Sequence, residues 1–337
     1  MKAYEIRNDR PGLDALTLVE RPEPQLSAGQ VLVKMHAASL NYRDLLVAKG
    51  AYGSQQFKPI VPLSDGAGEV VAVGEGVTRV QVGDRVAGIF MQTYLSGELT
   101  PEKANSALGG AIDGVLAEYV AFEQQGVVKF PEHLSYEEAA TLPCAAVTAW
   151  NALIAEAQLK AGETVLLLGT GGVSIFALQF AKMMGARTIL TSSSDEKLER
   201  ARQLGADDVI NYKVTPDWEE KVWALTNARG VDFVVEVGGS DTLSKSLRAV
   251  RYNGKIALIG VLTGLAGDVS TGAILHKHVR VQGIYVGSRD MFEDMNRAIA
   301  QQKMSPVADR IFAFNEAREA LAYLESGAHF GKVVIRV

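Results

Sequence analysis

The sequence predicts an α/β fold in which a doubly wound parallel sheet is joined to a second, mainly β domain. Three observations predict it. An apolar run at residues 165–168 passes through Gly169, Gly171 and Gly172 straight into a helical pattern. Beyond about Ser135, six short apolar segments alternate with helical patterns, which favours parallel strands covered by helices. Before residue 122 the chain instead shows short β-rich runs punctuated by Gly and Pro. At 337 residues the chain exceeds the usual size of one core, so two domains are expected.

Taken in order, residues 31–35, 68–73, 84–88 and 116–120 read as strands of the first domain. Gly74-Glu75-Gly76 and Gly83-Asp84 lie between them, where freedom to take positive φ makes tight turns. The parallel sheet is expected from residues 165–168, 188–191, 209–211, 233–237, 256–259 and 281–285, the number of strands in a full dinucleotide-binding fold. Residues 193–196 read as a capping box, and Thr215-Pro216-Asp217 as a cap residue, a first-turn proline and an early acid. The tail predicts helices at 292–301 and 315–326 and a last strand at 332–337 that packs back on the first domain.

Composition removes several classes of function. The formal net charge is −5 with Lys and Arg scattered, so there is no basic stripe for nucleic acid. The lone cysteine, Cys144, excludes an intrachain disulfide framework and fits a reducing, cytoplasmic setting. The opening residues Met1 to Arg7 lack the apolar core of a signal peptide. The most apolar stretch, 165–186, is broken by Gly169, Gly171, Gly172, Ser174 and Lys182, so no membrane span is expected.

The loop Gly169-Thr170-Gly171-Gly172-Val173-Ser174 is the strongest single signal. Glycines let the backbone turn sharply and approach a pyrophosphate, whose charge meets free amides and the helix dipole. Ser174 stands where the usual pattern has a third glycine, and an ordinary Gly-rich turn is the alternative reading. The strand–turn–helix context favours the cofactor. At the end of the second strand an NAD site usually carries an acid, whereas this chain has Ser192, Ser193 and Ser194, with Lys197 one turn on and Tyr212 ending the third strand. Hydroxyls and an ammonium suit a 2′-phosphate, so NADPH is expected, with NADH as the other candidate. The competing reading makes Ser193 a helix cap and Lys197 a solvated charge, and Asp195 could be the missing acid.

Further segments form an ordered set: Asn41-Tyr42-Arg43-Asp44, the run from Pro59 to Val70, Val82-Gly83-Asp84-Arg85-Val86, the run from Ala139 to Trp150, and Phe330-Gly331-Lys332-Val333-Val334. With the glycine loop they resemble the medium-chain dehydrogenase/reductase superfamily over nearly the whole chain. Within its zinc-type alcohol dehydrogenase-like proteins, the resemblance is to the zinc-free quinone-oxidoreductase-like branch. The resemblance implies a GroES-like catalytic domain at 1–122, a Rossmann domain at 123–285 and a return segment at 286–337. Zinc-bearing relatives place Cys where this chain has Asn41 and His where it has Ser64, leaving only Cys144 of the three usual ligands. The lobe near residues 95–111 has none of their four structural cysteines, so no zinc is expected.

Without a Lewis acid, the implied reaction is hydride transfer from a nicotinamide to a quinone or an α,β-unsaturated carbonyl. An alcohol or aldehyde dehydrogenase and a noncatalytic NADPH-binding module are the alternatives. By resemblance, Asn41, Tyr42 and Thr148 belong to the nicotinamide and substrate end, in a cleft between the domains. Gly238, Val261, Val286 and Lys332 line the cofactor, and Tyr42 is the candidate hydroxyl donor to the substrate oxygen. Relatives pair through the last Rossmann strand, so a homodimer through residues 279–286 is expected. Asp44 and Asp65 read as structural, Trp150, Phe176 and Phe180 as core, the five histidines as surface or loop residues, and Arg289 as a surface arginine.

Overall fold

The computed structural model describes residues 1–7, 12–51, 59–264 and 266–337. The chain divides into two compact units, one of Met1–Val147 with Gly287–Val337 and one of Thr148–Val286. In the first, β1 (Lys2–Ile6) pairs antiparallel with β2 (Leu16–Glu20). The ten-residue β3 (Gln30–Ser39) is buried along most of its length and pairs antiparallel with β4 (Asp65–Val73). Gly68 permits this pairing, because a Cβ there would lie 2.1 Å from the Lys34 carbonyl oxygen. Next, β5 (Arg85–Gly88) adds to β4, β6 (Tyr119–Glu123) to β3, and β7 (Val127–Lys129) to β5. The short helices α1 (Tyr42–Ala48), α2 (Pro101–Ala104) and α3 (Tyr136–Ala139) lie between them.

The division after Val147 falls later than the expected one after residue 122. The reason is pairing: Val127–Lys129 is a strand of the first unit's sheet, and the Arg85 guanidinium sits 4.7 Å from the rings of both Phe130 and Tyr136. The fourth strand also starts later than read, at Tyr119 instead of residue 116.

Helix α4 (Val147–Trp150) is flanked by two π-helical segments, Leu142–Ala146 and Asn151–Glu156. The second unit then builds a six-stranded sheet from β8 (Thr164–Leu168), β9 (Arg187–Ser192), β10 (Asp208–Asn211), β11 (Val231–Glu236), β12 (Val250–Leu258) and β13 (Arg280–Gly283). All its pairings are parallel and its order is β10-β9-β8-β11-β12-β13, the doubly wound arrangement read from the sequence. Order reverses between β8 and β11, which places a ligand crevice outside the carboxyl ends of these strands. Its helices are α5 (Gly172–Met183), α6 (Asp195–Gln203), α7 (Trp218–Leu225), α8 (Ser240–Ala249) and α9 (Thr271–Lys277).

Phe176 and Phe180 are buried on α5, and Trp150 meets Phe180 edge-on at 5.4 Å, so all three are core. Burying each such ring contributes about 2–3 kcal/mol. Two caps differ from expectation. Ser194, not Ser193, caps α6, accepting from the Lys197 N–H, so the capping box at 193–196 does not form. Asp217 is the cap of α7, which leaves Thr215 and Pro216 outside the helix.

The chain returns to the first unit with α10 (Arg289–Gln302), β14 (Ala308–Ala313), α11 (Ala317–Glu325) and β15 (Lys332–Arg336). β15 runs antiparallel to β3, and β14, which the sequence did not reveal, pairs parallel with β15. Arg289 is not a surface residue: its guanidinium is mostly buried, donates to Gln125 Oε1 at 2.5 Å and pairs with Glu293. No helix among the described residues is long and apolar enough to cross a membrane.

Candidate active site

The first unit holds a buried polar cluster where β3 gives way to α1. Asn41 caps α1, and its backbone N–H donates to Asp44 Oδ2 at 2.8 Å. Its side chain turns inward: Oδ1 accepts from Lys332 Nζ at 2.5 Å, and Nδ2 donates to Ser64 Oγ at 3.4 Å. Ser64 donates to Asp65 Oδ1 at 2.7 Å, while Asp65 Oδ2 accepts the Cys144 N–H at 3.1 Å and lies 3.7 Å from Lys332 Nζ. The Lys332 ammonium also donates to the Leu40 carbonyl at 2.6 Å. Arg43 Nη1 donates to the Leu108 and Gly109 carbonyls and to Asp44 Oδ1.

Burial governs the acid–base behaviour of this cluster. It pushes the Asp44 carboxyl up to about 6 against the pull of Arg43. It also raises Asp65, which Lys332 opposes. Burial first, then the neighbouring Asp65 carboxylate, raises the Cys144 thiol far above its ordinary value, so sulfur stays protonated. Leu63, immediately before Ser64, is fully buried at φ +67°, a left-handed conformation strained for a branched residue. Gly114 closes over it, since a Cβ there would lie 2.0 Å from the Leu63 carbonyl oxygen. Tyr42, by contrast, is 41% exposed on the first turn of α1.

In the second unit, Gly169 turns the chain out of β8 at φ +75°, and a Cβ placed on it would meet no atom within 4 Å. The space beside it is open. Gly171 begins α5 with no side-chain cap, so the first-turn amides of Gly172 and Val173 face outward for an anion. Buried Thr170 lies between the two glycines. Ser174 Oγ donates to the Leu168 carbonyl at 2.6 Å, tying α5 to β8 at the position where the usual pattern has its third glycine.

Ser192 ends β9, Ser193 and Ser194 follow, and the Tyr212 N–H donates to the Ser192 carbonyl. With Lys197 on the first turn of α6, these residues gather at the carboxyl ends of β9 and β10. Asp195, the acid that could have served an NAD ribose, accepts instead from Asn211 Nδ2 at 2.7 Å. Gly238, Val261 and Val286 follow the carboxyl ends of β11, β12 and β13. Thr148 is buried on α4. Lys332 belongs to the other unit, with its ammonium engaged in the Asn41 cluster.

Two residues of this crevice escaped the sequence reading. Glu236, fully buried at the end of β11, accepts on Oε1 from the Gly238 and Gly239 amides and Thr242 Oγ1, and on Oε2 from Ser246. An acid closing an apolar strand just before two glycines was the available signal. Asn151 donates from Nδ2 to the Val286 carbonyl at 2.7 Å, holding a β-branched residue at φ +56°.

Residues 27–132 match the family model described as alcohol dehydrogenase GroES-like domain, and residues 172–301 match the one described as zinc-binding dehydrogenase. A zinc-type alcohol dehydrogenase-like protein of Schizosaccharomyces pombe is 46% identical, with 99% of each chain covered. A crystal structure from Sinorhizobium meliloti 1021 is 44% identical at a TM-score of 0.94, covering 100% of this chain and 98% of that one. A solved NAD-dependent alcohol dehydrogenase is 32% identical at a TM-score of 0.91, with 100% of each chain covered. The quinone oxidoreductase from Coxiella burnetii is 29% identical at a TM-score of 0.79, covering 100% of this chain and 99% of that one.

Two of those descriptions name zinc, and the residues around Cys144 do not fit it. Zinc prefers thiolate, imidazole and carboxylate donors in a tetrahedron. Here Cys144 is the chain's single cysteine, the Asn41 oxygen is taken by an ammonium, and the Ser64 hydroxyl donates to Asp65. Among the described residues no group of three or more His, Cys, Asp or Glu side chains is arranged to hold a metal ion.

Proposed function

This chain belongs to the medium-chain dehydrogenase/reductase superfamily, and from that premise we propose that it is an NADPH-dependent reductase of quinones or α,β-unsaturated carbonyls that works without zinc. The observation that carries the reading is the filling of the Asn41–Ser64–Cys144 region by Lys332 and internal hydrogen bonds. A pocket of that kind lacks the Lewis acid that alcohol oxidation uses to hold an alkoxide. An acceptor already activated by conjugation needs only positioning and a hydrogen bond to the developing oxyanion.

A bound reduced dinucleotide supplies the hydride. Open space beside Gly169 and the first-turn amides of α5 receive its pyrophosphate. Ser192, Ser193, Ser194 and Lys197 receive the 2′-phosphate, with Tyr212 alongside, while a hydrogen bond from Asn211 holds the Asp195 carboxylate. Tyr42, exposed at the start of α1, donates its hydroxyl to the substrate oxygen. β13 is the edge of the six-stranded sheet, and through it the chain forms a homodimer, checked by a light-scattering mass of two chains. The setting we propose is cytoplasmic.

The test is a spectrophotometric screen of chelator-treated protein with NADPH and NADH against quinones, enones and aldehydes, and with NADP⁺ and NAD⁺ against alcohols. NADPH oxidation by a quinone or an enone is the expected result, and Lys197→Ala should raise KM for NADPH about tenfold while sparing NADH. Alcohol-dependent reduction of NAD⁺ as the dominant activity would instead support the reading favoured by the likeness to NAD-dependent alcohol dehydrogenase. Tight NADPH binding with no acceptor turned over would leave a binding module.

A further inference from the structure

We infer that the Lys332 ammonium is the resident cation of the Asn41 cluster, a covalently attached replacement for a metal ion that keeps external divalent cations out. Four charged side chains meet there, all largely or wholly buried: the carboxylates of Asp44 and Asp65, and the cations of Arg43 and Lys332. Arg43 is paired with Asp44 at 3.3 Å, and Lys332 with Asp65 at 3.7 Å. The set closes at zero net charge with nothing supplied from outside.

Geometry matches this role. An ammonium has three donor directions. Lys332 sends two to the Leu40 carbonyl and Asn41 Oδ1 and faces Asp65 Oδ2 with its third side. The same Asp65 oxygen accepts the Cys144 N–H. One cation therefore sits among the amide, the carboxylate and the thiol-bearing residue that a small divalent ion would otherwise recruit. Adding such an ion, even with loss of the Cys144 proton to form a thiolate ligand, would leave a buried excess of one positive charge, which a low-dielectric interior opposes strongly. Deleting the ammonium leaves one uncompensated negative charge and vacates the space beside Asp65.

This deepens the zinc-free reading but does not depend on the acceptor, because metal uptake is measured without turnover. Failure of the substrate screen leaves it standing. The test equilibrates chelator-treated, full-length wild type, Lys332→Met, Lys332→Arg and Lys332→Met with Cys144→Ser against cobalt(II) alone, read by equilibrium dialysis and by thiolate-to-cobalt absorption. Wild type and Lys332→Arg should take up no stoichiometric cobalt. Lys332→Met should bind one ion per chain at least 100-fold more tightly than wild type, with an absorption band that Cys144→Ser abolishes. One tightly bound cobalt in wild type would overturn the inference, as would a folded Lys332→Met with no gain in affinity. If Lys332→Met does not fold, adding Asp65→Asn should restore folding by rebalancing charge. A double variant that still fails to fold would count against the inference too.

Discussion

Asp65 in the first unit and Glu236 in the second are both completely buried carboxylates, and their surroundings solve the same problem in opposite ways. Asp65 is met by an ammonium, with a hydroxyl and one amide in support. Glu236 is met by two glycine amides and two hydroxyls, with no cation among the described partners. Charge against charge concentrates the dependence on one distant residue. Charge against dipoles spreads the dependence over several local donors and, because two of them are backbone, fixes the shape of the Gly238–Gly239 turn. The first solution keeps a charge in place, and the second keeps a surface in shape.

The largest expected effect breaks the charged solution. Lys332→Met should lose about 3–5 kcal/mol of unfolding free energy in denaturant titration, because a buried charge loses the ammonium paired with it. Thr242→Val should lose about 1–2 kcal/mol, since three donors to Glu236 remain. Equal losses for the two variants would erase the contrast.

The second effect concerns the role of backbone shape in the crevice. Gly169→Val places a side chain in the open space beside the turn, at a φ that branched residues avoid. Dinucleotide affinity measured by calorimetry should fall about 100-fold, or about 2.7 kcal/mol. Unchanged affinity would mean the pyrophosphate lies elsewhere.

Titration sharpens the comparison further. Burial holds Asp44 at about 6 in the folded protein, above its ordinary 3.8. The folded chain therefore binds this proton more tightly, and the resulting stabilisation is complete below about pH 4 and lost as pH rises through about 6. The melting-temperature advantage of wild type over Asp44→Asn should grow as pH falls from 7 to 4, by an amount corresponding to about 2–3 kcal/mol. A pH-independent difference would remove burial as the governing cause. The smallest effect is Asn151→Ala, which should cost about 1 kcal/mol in melting experiments through release of the Val286 carbonyl.

The parallel sheet was legible because its information is local. Strands such as Thr164–Leu168 are apolar on both faces, and the glycines follow them directly in the chain. β14 was not, because only Phe312 is buried in Ala308–Ala313 and its partner strand is set by the fold. β12 began at Val250, well before the apolar run at 256, because Arg251, Tyr252 and Asn253 hide its start behind polar side chains. Resemblance flagged Asn41, Ser64 and Cys144, but what fills the space between them was not readable. Lys332 reaches Asn41 from 291 residues away, a distance no spacing rule spans.

The bond from Ser174 to the Leu168 carbonyl bears on how such phosphate loops are recognised. A fingerprint that insists on glycine at its third position passes over this one. That position asks for reach: a group short enough to let the helix lie on the strand, or one that grips the strand as it lies there. By this rule alanine is small enough but cannot donate to the strand, whereas a hydroxyl one carbon from the backbone serves both demands. Tolerance at that place in the loop is then a question of what the substituent can hold.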